Sequence, residues 1–187
     1  LHSTSSRQRQ MCIRDRCKQI DNGLTSKTAC ATGYRPMKCP WGYNEQGQRC
    51  LEMRDKLKNL VEKSITQGYE NFISGMALGF DMIFAEVILE LKKKYSNIKL
   101  IAALPCKNQY EKWPANQIKR YKFILSKCDS VRCLYDTYND KCMLERNDYI
   151  LNNSSLVFAL YDGKPGGTKY TINKAKQKGL KVEEIKP

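Results

Sequence analysis

Residues 71–95 read NFISGMALGFDMIFAEVILELKKKY. Asn71 to Ser74 is a short strand, closed at once by Gly75. From Asp81 to Tyr95 the residues Phe84, Val87, Ile88, Leu91 and Tyr95 recur at three- and four-residue spacing, one face of a helix. Strand, glycine turn and helix make half of a βαβ unit. The turn itself, Ser74-Gly75-Met76-Ala77-Leu78-Gly79, carries possible chemistry. Glycine permits positive φ and close approach of backbone to a ligand. A helix N terminus adds unpaired N–H groups and the positive end of a dipole. The stretch reads either as an anion cradle or as a tight packing turn. It holds neither the dinucleotide fingerprint nor a Walker lysine loop.

The same alternation extends in both directions. Lys27–Thr32 is a short strand run ending at Gly33, and Leu51–Ile65 a helix. Ile98–Leu104 is a continuous apolar run, as expected of a strand buried on both faces, and Pro105 is expected to stop it. Asn116–Cys128 reads as a helix, Ser130–Tyr135 as a strand and Lys141–Asn152 as a helix. Leu156–Tyr161 is a second buried strand, Thr168–Lys178 a helix ended by Gly179, and Leu180–Ile185 a last strand. Strands alternating with helices predict an α/β fold: a Rossmann-like, doubly wound, mainly parallel sheet of about six strands with helices on both faces. Ligands in such sheets bind beyond the C-terminal strand ends, near the topological switch point.

The 187 residues suit one domain, placed at residues 25–187. Residues 1–24 are set apart as a disordered or artefactual segment. Within it RQRQMCIRDR, residues 7–16, is similar to the in-frame translation of a sequencing adapter. Leaving out residues 1–16, with four arginines and one aspartate, lowers the formal charge from +14 to +11. It also removes His2, the only histidine, so the remainder lacks the base of a Ser-His-Asp triad and any His ligand for zinc. None of the nine cysteines forms a C-x-x-C pair, and no metal is expected. Free thiols, no signal-type h-region and no apolar run of about 18 residues predict a cytoplasmic chain with no membrane partner. Cys30 and Cys133 are expected in the core, and Cys39 with Cys50 could clip a loop. The positive charge suits an anionic partner, although the lysines are spread along the chain as on solvated helix faces.

A second turn repeats the first. Asp162-Gly163-Lys164-Pro165-Gly166-Gly167-Thr168 opens the last helix, with Thr168 able to cap it or to donate to a phosphate oxygen. After the first strand, Arg35 in Thr32-Gly33-Tyr34-Arg35-Pro36 could clamp a phosphate with two parallel hydrogen bonds or sit in a surface salt bridge.

The blocks ACATGYRP, WGYNE, FISGMALGFD, IAALPCKNQ, RNDYILNNS and YDGKPGGTKYTINKA together resemble the YpsA-like branch of the SLOG superfamily, over about residues 28–187. The resemblance implies a Rossmann-like fold and the binding of a nucleotide or nucleotide-derived small molecule, ADP-ribose-like compounds included. It implies ligand contacts from Gly33, Arg35, Ser74, Gly75, Met76, Gly79, Asp81, Gln109, Trp113, Arg146, Asn147, Asp162, Gly163, Gly166, Gly167 and Thr168. Trp113 could stack on a base. Where the family usually has GHRP, this chain has Tyr34, which does not titrate near neutral pH as histidine does.

Related LOG enzymes cleave nucleoside-monophosphate N-glycosidic bonds and carry a glutamate after PGG-x-GT; here Lys169-Tyr170-Thr171 follows instead. Asp81, Glu86 and Asp162 are the substitutes available for acid–base work. A ligand-binding or sensing protein is the leading reading. A phosphoribohydrolase-type N-glycosidase and a DprA-like single-stranded DNA binder are the alternatives, and homo-oligomers are compatible with each.

Overall fold

The computed structural model describes residues 25–187, so the expectations for residues 1–24 lie outside the described residues. Six strands and five helices alternate: β1 (Thr28–Thr32), α1 (Gln48–Thr66), β2 (Asn71–Ser74), α2 (Phe80–Leu91), β3 (Lys99–Cys106), α3 (Ala115–Lys127), β4 (Ser130–Tyr135), α4 (Cys142–Asn152), β5 (Leu156–Leu160), α5 (Gly167–Gln177) and β6 (Lys181–Ile185). Every strand pairing is parallel, in the order β4-β3-β2-β1-β5-β6. The chain therefore steps from β1 out to β4, then crosses back to lay β5 on the far side of β1. That reversal puts the switch point between β1 and β5.

Side chains alternate across the strands and feed two cores. Ala29, Ala31, Phe72, Leu100, Ala102, Leu156 and Phe158 point to one face with the buried residues of α1, α2 and α3. Cys30, Ile73, Ile101, Ala103 and Val157 point to the other, against Ile150 and Leu151 of α4 and Ala175 of α5. Phe84 of α2 lies between Phe72 and Phe158, with centroids 6.3 and 5.9 Å away. Fully burying a side chain of this kind stabilises the fold by about 1.5–3 kcal/mol.

The sequence pattern needs correcting in four places. The stripe on α2 is only part of its buried surface, because Met82, Ile83 and Ala85 are buried as well. A helix apolar over most of its surface belongs inside a protein, and α2 is covered by the sheet, α1 and α3, leaving only Glu86, Leu89 and Glu90 partly exposed. Secondly, Pro105 does not stop β3. The β3–β4 register passes from Leu104↔Cys133 to Cys106↔Tyr135, so the ladder skips one pair at the residue without an N–H and then resumes. Thirdly, Cys133 is only partly buried, since β4 is an edge strand. Fourthly, Cys39 and Cys50 are free thiols, as are the other described cysteines, so no disulfide clips that loop. Burial pushes the Cys39 thiol up to about 12 and the Cys50 thiol to about 11, which keeps both protonated. Among the described residues no helix is long and apolar enough to cross a membrane.

Candidate functional site

A cavity of about 400 Å3 opens at the C-terminal end of β1, beside Val157 of the neighbouring β5 and so at the switch point. Its volume is in the range of small-molecule pockets. Gly33, Tyr34 and Arg35 enter from the end of β1, and Met37 and Lys38 from the turn that follows. Asp81 comes from α2, Met143, Leu144, Arg146 and Asn147 from α4, and Gly167, Thr168 and Thr171 from α5.

At its floor lies a buried ion pair. Arg146 and Asp81 are only 6% and 7% exposed, and their contact is a single one, Nη1 to Oδ2 at 3.4 Å. Asp81 Oδ2 also accepts the Ala77 N–H at 3.3 Å. A guanidinium carries five N–H donors. Among the described residues Asp81 is the only hydrogen-bond partner of this one, and its Nε is sealed away with no acceptor. Burial lowers the proton affinity of Arg146, which Asp81 opposes. Burial raises the Asp81 carboxyl above the usual range, opposed by Arg146, the Ala77 N–H and Arg35. A Cβ on Gly75 would stand 1.5 Å from Arg146 Nη1 and 2.7 Å from Asp81 Oδ2, so the guanidinium rests directly on the glycine backbone.

The two glycine turns differ in what they leave open. In the turn from Ser74 to Gly79, the Met76 N–H is taken by Ser74 Oγ at 3.1 Å, and that hydroxyl donates to the Asp81 carbonyl at 2.7 Å. With Ala77 satisfied by Asp81, the Met76 and Ala77 N–H groups are both taken up within the turn. A Cβ on Gly79 (φ 89°) would lie 2.6 Å from the Tyr34 carbonyl, and one on Gly33 2.5 Å from the Phe80 ring. Ser74, Gly75, Met76 and Gly79 therefore form a packed layer that seats Asp81 and Arg146. Of this turn only Ala77 lines the cavity. At the second turn, no side chain caps α5 after Gly166 (φ 146°), and a Cβ on Gly167 would meet nothing within 4 Å. Lys38 Nζ lies beside Gly166, 2.9 Å from where a Cβ would stand.

The remaining expected residues are placed as follows. Asn147 lines the cavity and donates to Thr171 Oγ1 at 3.3 Å, joining α4 to α5. Asp162, Gly163 and Gly166 are exposed and do not line the cavity. Asp162 accepts from Lys164 at 2.8 Å and from the buried Tyr34 hydroxyl, and these two donors hold its carboxyl at about 2. Gln109 and Trp113 stand away from the cavity. Gln109 donates to the Met76 carbonyl at 3.4 Å and Tyr121 Oη at 3.3 Å, and Trp113 meets the Tyr121 ring edge-on at 5.4 Å. Trp113 is thus a packing residue on the α3 side of the sheet, held there by Tyr121 rather than presented for base stacking. Glu86 is turned from the cavity too. It binds Arg120 at 2.7 Å and Arg54 at 3.1 Å, while Arg120 also takes Glu45 at 2.7 Å.

Lys38, Met143, Leu144 and Thr171 line the cavity without having been singled out in the sequence. For Lys38 the signal was its place one tight turn after Arg35, whose carbonyl accepts the Lys38 N–H at 2.9 Å. Leu144, on α4, is 51% exposed.

The Tyr34–Asp162 bond gives a direct test. Tyr34→Phe is expected to move the Asp162 midpoint upward towards the ordinary value of about 4. A folded-state value below the unfolded one contributes stability above about pH 4 that is lost as pH falls through about 2. The variant should lose that contribution earlier on acidification. A carboxyl-carbon NMR titration with an unchanged midpoint would refute the assignment.

Comparison with known proteins agrees with the fold. The chain is 33% identical over 140 residues to the SPbeta prophage-derived protein YoqJ of Bacillus subtilis, covering 68% of this chain and 82% of that one. It is 32% identical over 161 residues to a UPF0398 protein of Bacillus thuringiensis, covering 82% and 84%. Among solved structures, DNA processing protein A (DprA) of Streptococcus pneumoniae superposes with a TM-score of 0.57 at 16% identity, over 86% of this chain and 50% of that one. DprA of Helicobacter pylori, whose structure concerns its single-stranded DNA binding mode, gives 0.57 at 20% identity over 88% and 68%. At those identities the likeness is one of fold. The model of the YspA SLOG family matches residues 29–185, nearly the whole described chain, and with the bacterial relatives it shows that this chain belongs to the YpsA SLOG family.

Proposed function

We propose that the cavity between β1 and β5 binds or senses a phosphate-bearing nucleotide or nucleotide-derived small molecule. The observation that carries this is Arg146: a buried guanidinium with five donors and one long contact. Unmade hydrogen bonds of a buried charged group are costly, and a ligand that completes them recovers that cost. The rim adds positive charge. Arg35 and Lys38 line the cavity and have no ion-pair partner among the described residues, unlike Lys92 or Lys174. The uncapped N terminus of α5 lies on the same rim and favours an anion. Met37, 87% exposed, and Leu144 offer apolar contact for a planar base. Among the described residues Asp81 is the one carboxylate lining the cavity, and its Oδ2 is engaged with Arg146 and Ala77, which favours binding over glycosidic cleavage. Free thiols suit a reducing cytoplasm.

Calorimetry with adenosine 5′-monophosphate and with ADP-ribose tests the proposal. Arg35→Ala with Lys38→Ala should weaken binding by about tenfold or more, since each charge-assisted bond is worth about 1.5–3 kcal/mol. Both side chains are exposed, so the unfolding midpoint should stay put. Absence of binding by the unaltered protein would sink the proposal. A DprA-like single-stranded DNA interaction is the second reading, favoured by the fold likeness and by the formal charge of +11 that remains without residues 1–16. It requires affinity to fall steeply with salt.

A further inference from the structure

Resting on the nucleotide reading above, we infer that the floor of the cavity recognises the vicinal hydroxyls of a ribose, with the phosphate held at the rim. The two oxygens of Asp81 are used unequally. Oδ2 takes both the Ala77 N–H and Arg146 Nη1, whereas no donor among the described residues reaches Oδ1. Oδ1 is not among the sealed, partnerless atoms, so it faces the cavity that Asp81 lines. Arg146 Nη2 is in the same position: no acceptor among the described residues, and not sealed. The floor thus presents an acceptor on a carboxylate beside a donor on a guanidinium.

A phosphate matches only half of that pair. Its oxygens would accept from Arg146, but a doubly ionised phosphate has no proton for Asp81 and would set further negative charge against the carboxylate. A vicinal diol matches both halves, since each hydroxyl donates one proton and also accepts. One hydroxyl donates to Asp81 Oδ1, and its neighbour accepts from Arg146 Nη2. The phosphate then falls to the groups that carry no fixed negative charge, Arg35, Lys38 and the N–H groups opening α5. The ligand class is therefore ribonucleotides, in preference to deoxyribonucleotides or DNA.

The test compares adenosine 5′-monophosphate with its 2′-deoxy, 3′-deoxy and 2′-fluoro analogues on the unaltered protein, by calorimetry. At least one deoxy analogue should bind about tenfold or more weakly, the usual penalty for leaving a buried charged acceptor unpaired. The same series on Asp81→Asn supplies the sign. There the amide oxygen is claimed by Ala77 and Arg146, and the NH2 turns to the cavity. The hydroxyl preference should collapse, and 2′-fluoro, which cannot donate, should gain on the parent. Equal binding of ribo and deoxy forms to the unaltered protein overturns the ribose assignment and leaves the anion site standing. No binding of any form overturns the nucleotide reading and this inference with it. The first comparison needs no variant, so poor folding of Asp81→Asn would not shield the claim.

Discussion

Gly75→Ala is expected to lower the thermal unfolding midpoint by about 6–20 °C, the shift that a loss of about 3–5 kcal/mol gives in a domain of this size. The new Cβ would stand 1.5 Å from Arg146 Nη1, well inside contact distance. The guanidinium cannot simply swing away, because it would leave Asp81 buried without its counter-ion, and breaking a buried pair costs about 3–5 kcal/mol. Gly167→Ala is the control. Its Cβ meets nothing within 4 Å, and the residue begins α5. That substitution should shift stability by less than about 0.5 kcal/mol. Gly75→Ala with Arg146→Met should cost clearly less than the sum of the two single variants, because both break the same pair. A Gly75→Ala protein that melts with the parent would show that the guanidinium does not rest on the glycine.

Arg146→Met alone is expected to destabilise the fold by about 3 kcal/mol at pH 8 and by clearly less at pH 5. The pH dependence follows from Asp81. Its carboxyl is already raised by burial, and Arg146 is the strongest influence holding it down. Without Arg146 it rises further. A buried acid with a raised value holds its proton in the folded chain where the unfolded chain has released it. Stability is then fullest in acid and declines as pH rises through the folded value. Denaturant unfolding of parent and variant at the two pH values measures the difference. An equal penalty at both would mean that Asp81 does not take up the proton.

The fold was legible because its signals are local. Buried parallel strands read as apolar runs, as Ile98–Leu104 and Leu156–Leu160 do, and the turns between are marked by glycine. Pro105 misled because the rule that proline ends a strand concerns lost ladder bonds, and one lost rung next to an edge strand is tolerated. The site was legible in part. Arg35, Asp81, Arg146 and Asn147 do meet in one cavity. Sequence spacing could not tell that the Met76 and Ala77 N–H groups are taken up within their own turn, since that depends on where Ser74 Oγ and the Asp81 carboxylate point. Nor could it separate Glu86 from the cavity, because its engagement by Arg120 and Arg54 joins helices that are distant in sequence.

The missing rung at Pro105 bears on how the sheet comes apart. β4 has neighbours on one side only, none of its six residues is fully buried, and its ladder to β3 is one pair short. Opening free energies within one domain range from near zero to the global value. By these features β4 sits at the low end of that range, while β1, flanked by β2 and β5 and lined by Ala29 and Cys30, sits at the high end. One wall of the cavity is the end of β1, three strands in from this weak margin, and another is α4, which follows β4 in the chain. Fraying of β4 thus exchanges its amides with solvent while the β1 end of the cavity stays assembled, but it reaches Arg146, whose helix α4 is bonded to β4 through the Tyr135 hydroxyl and Glu145.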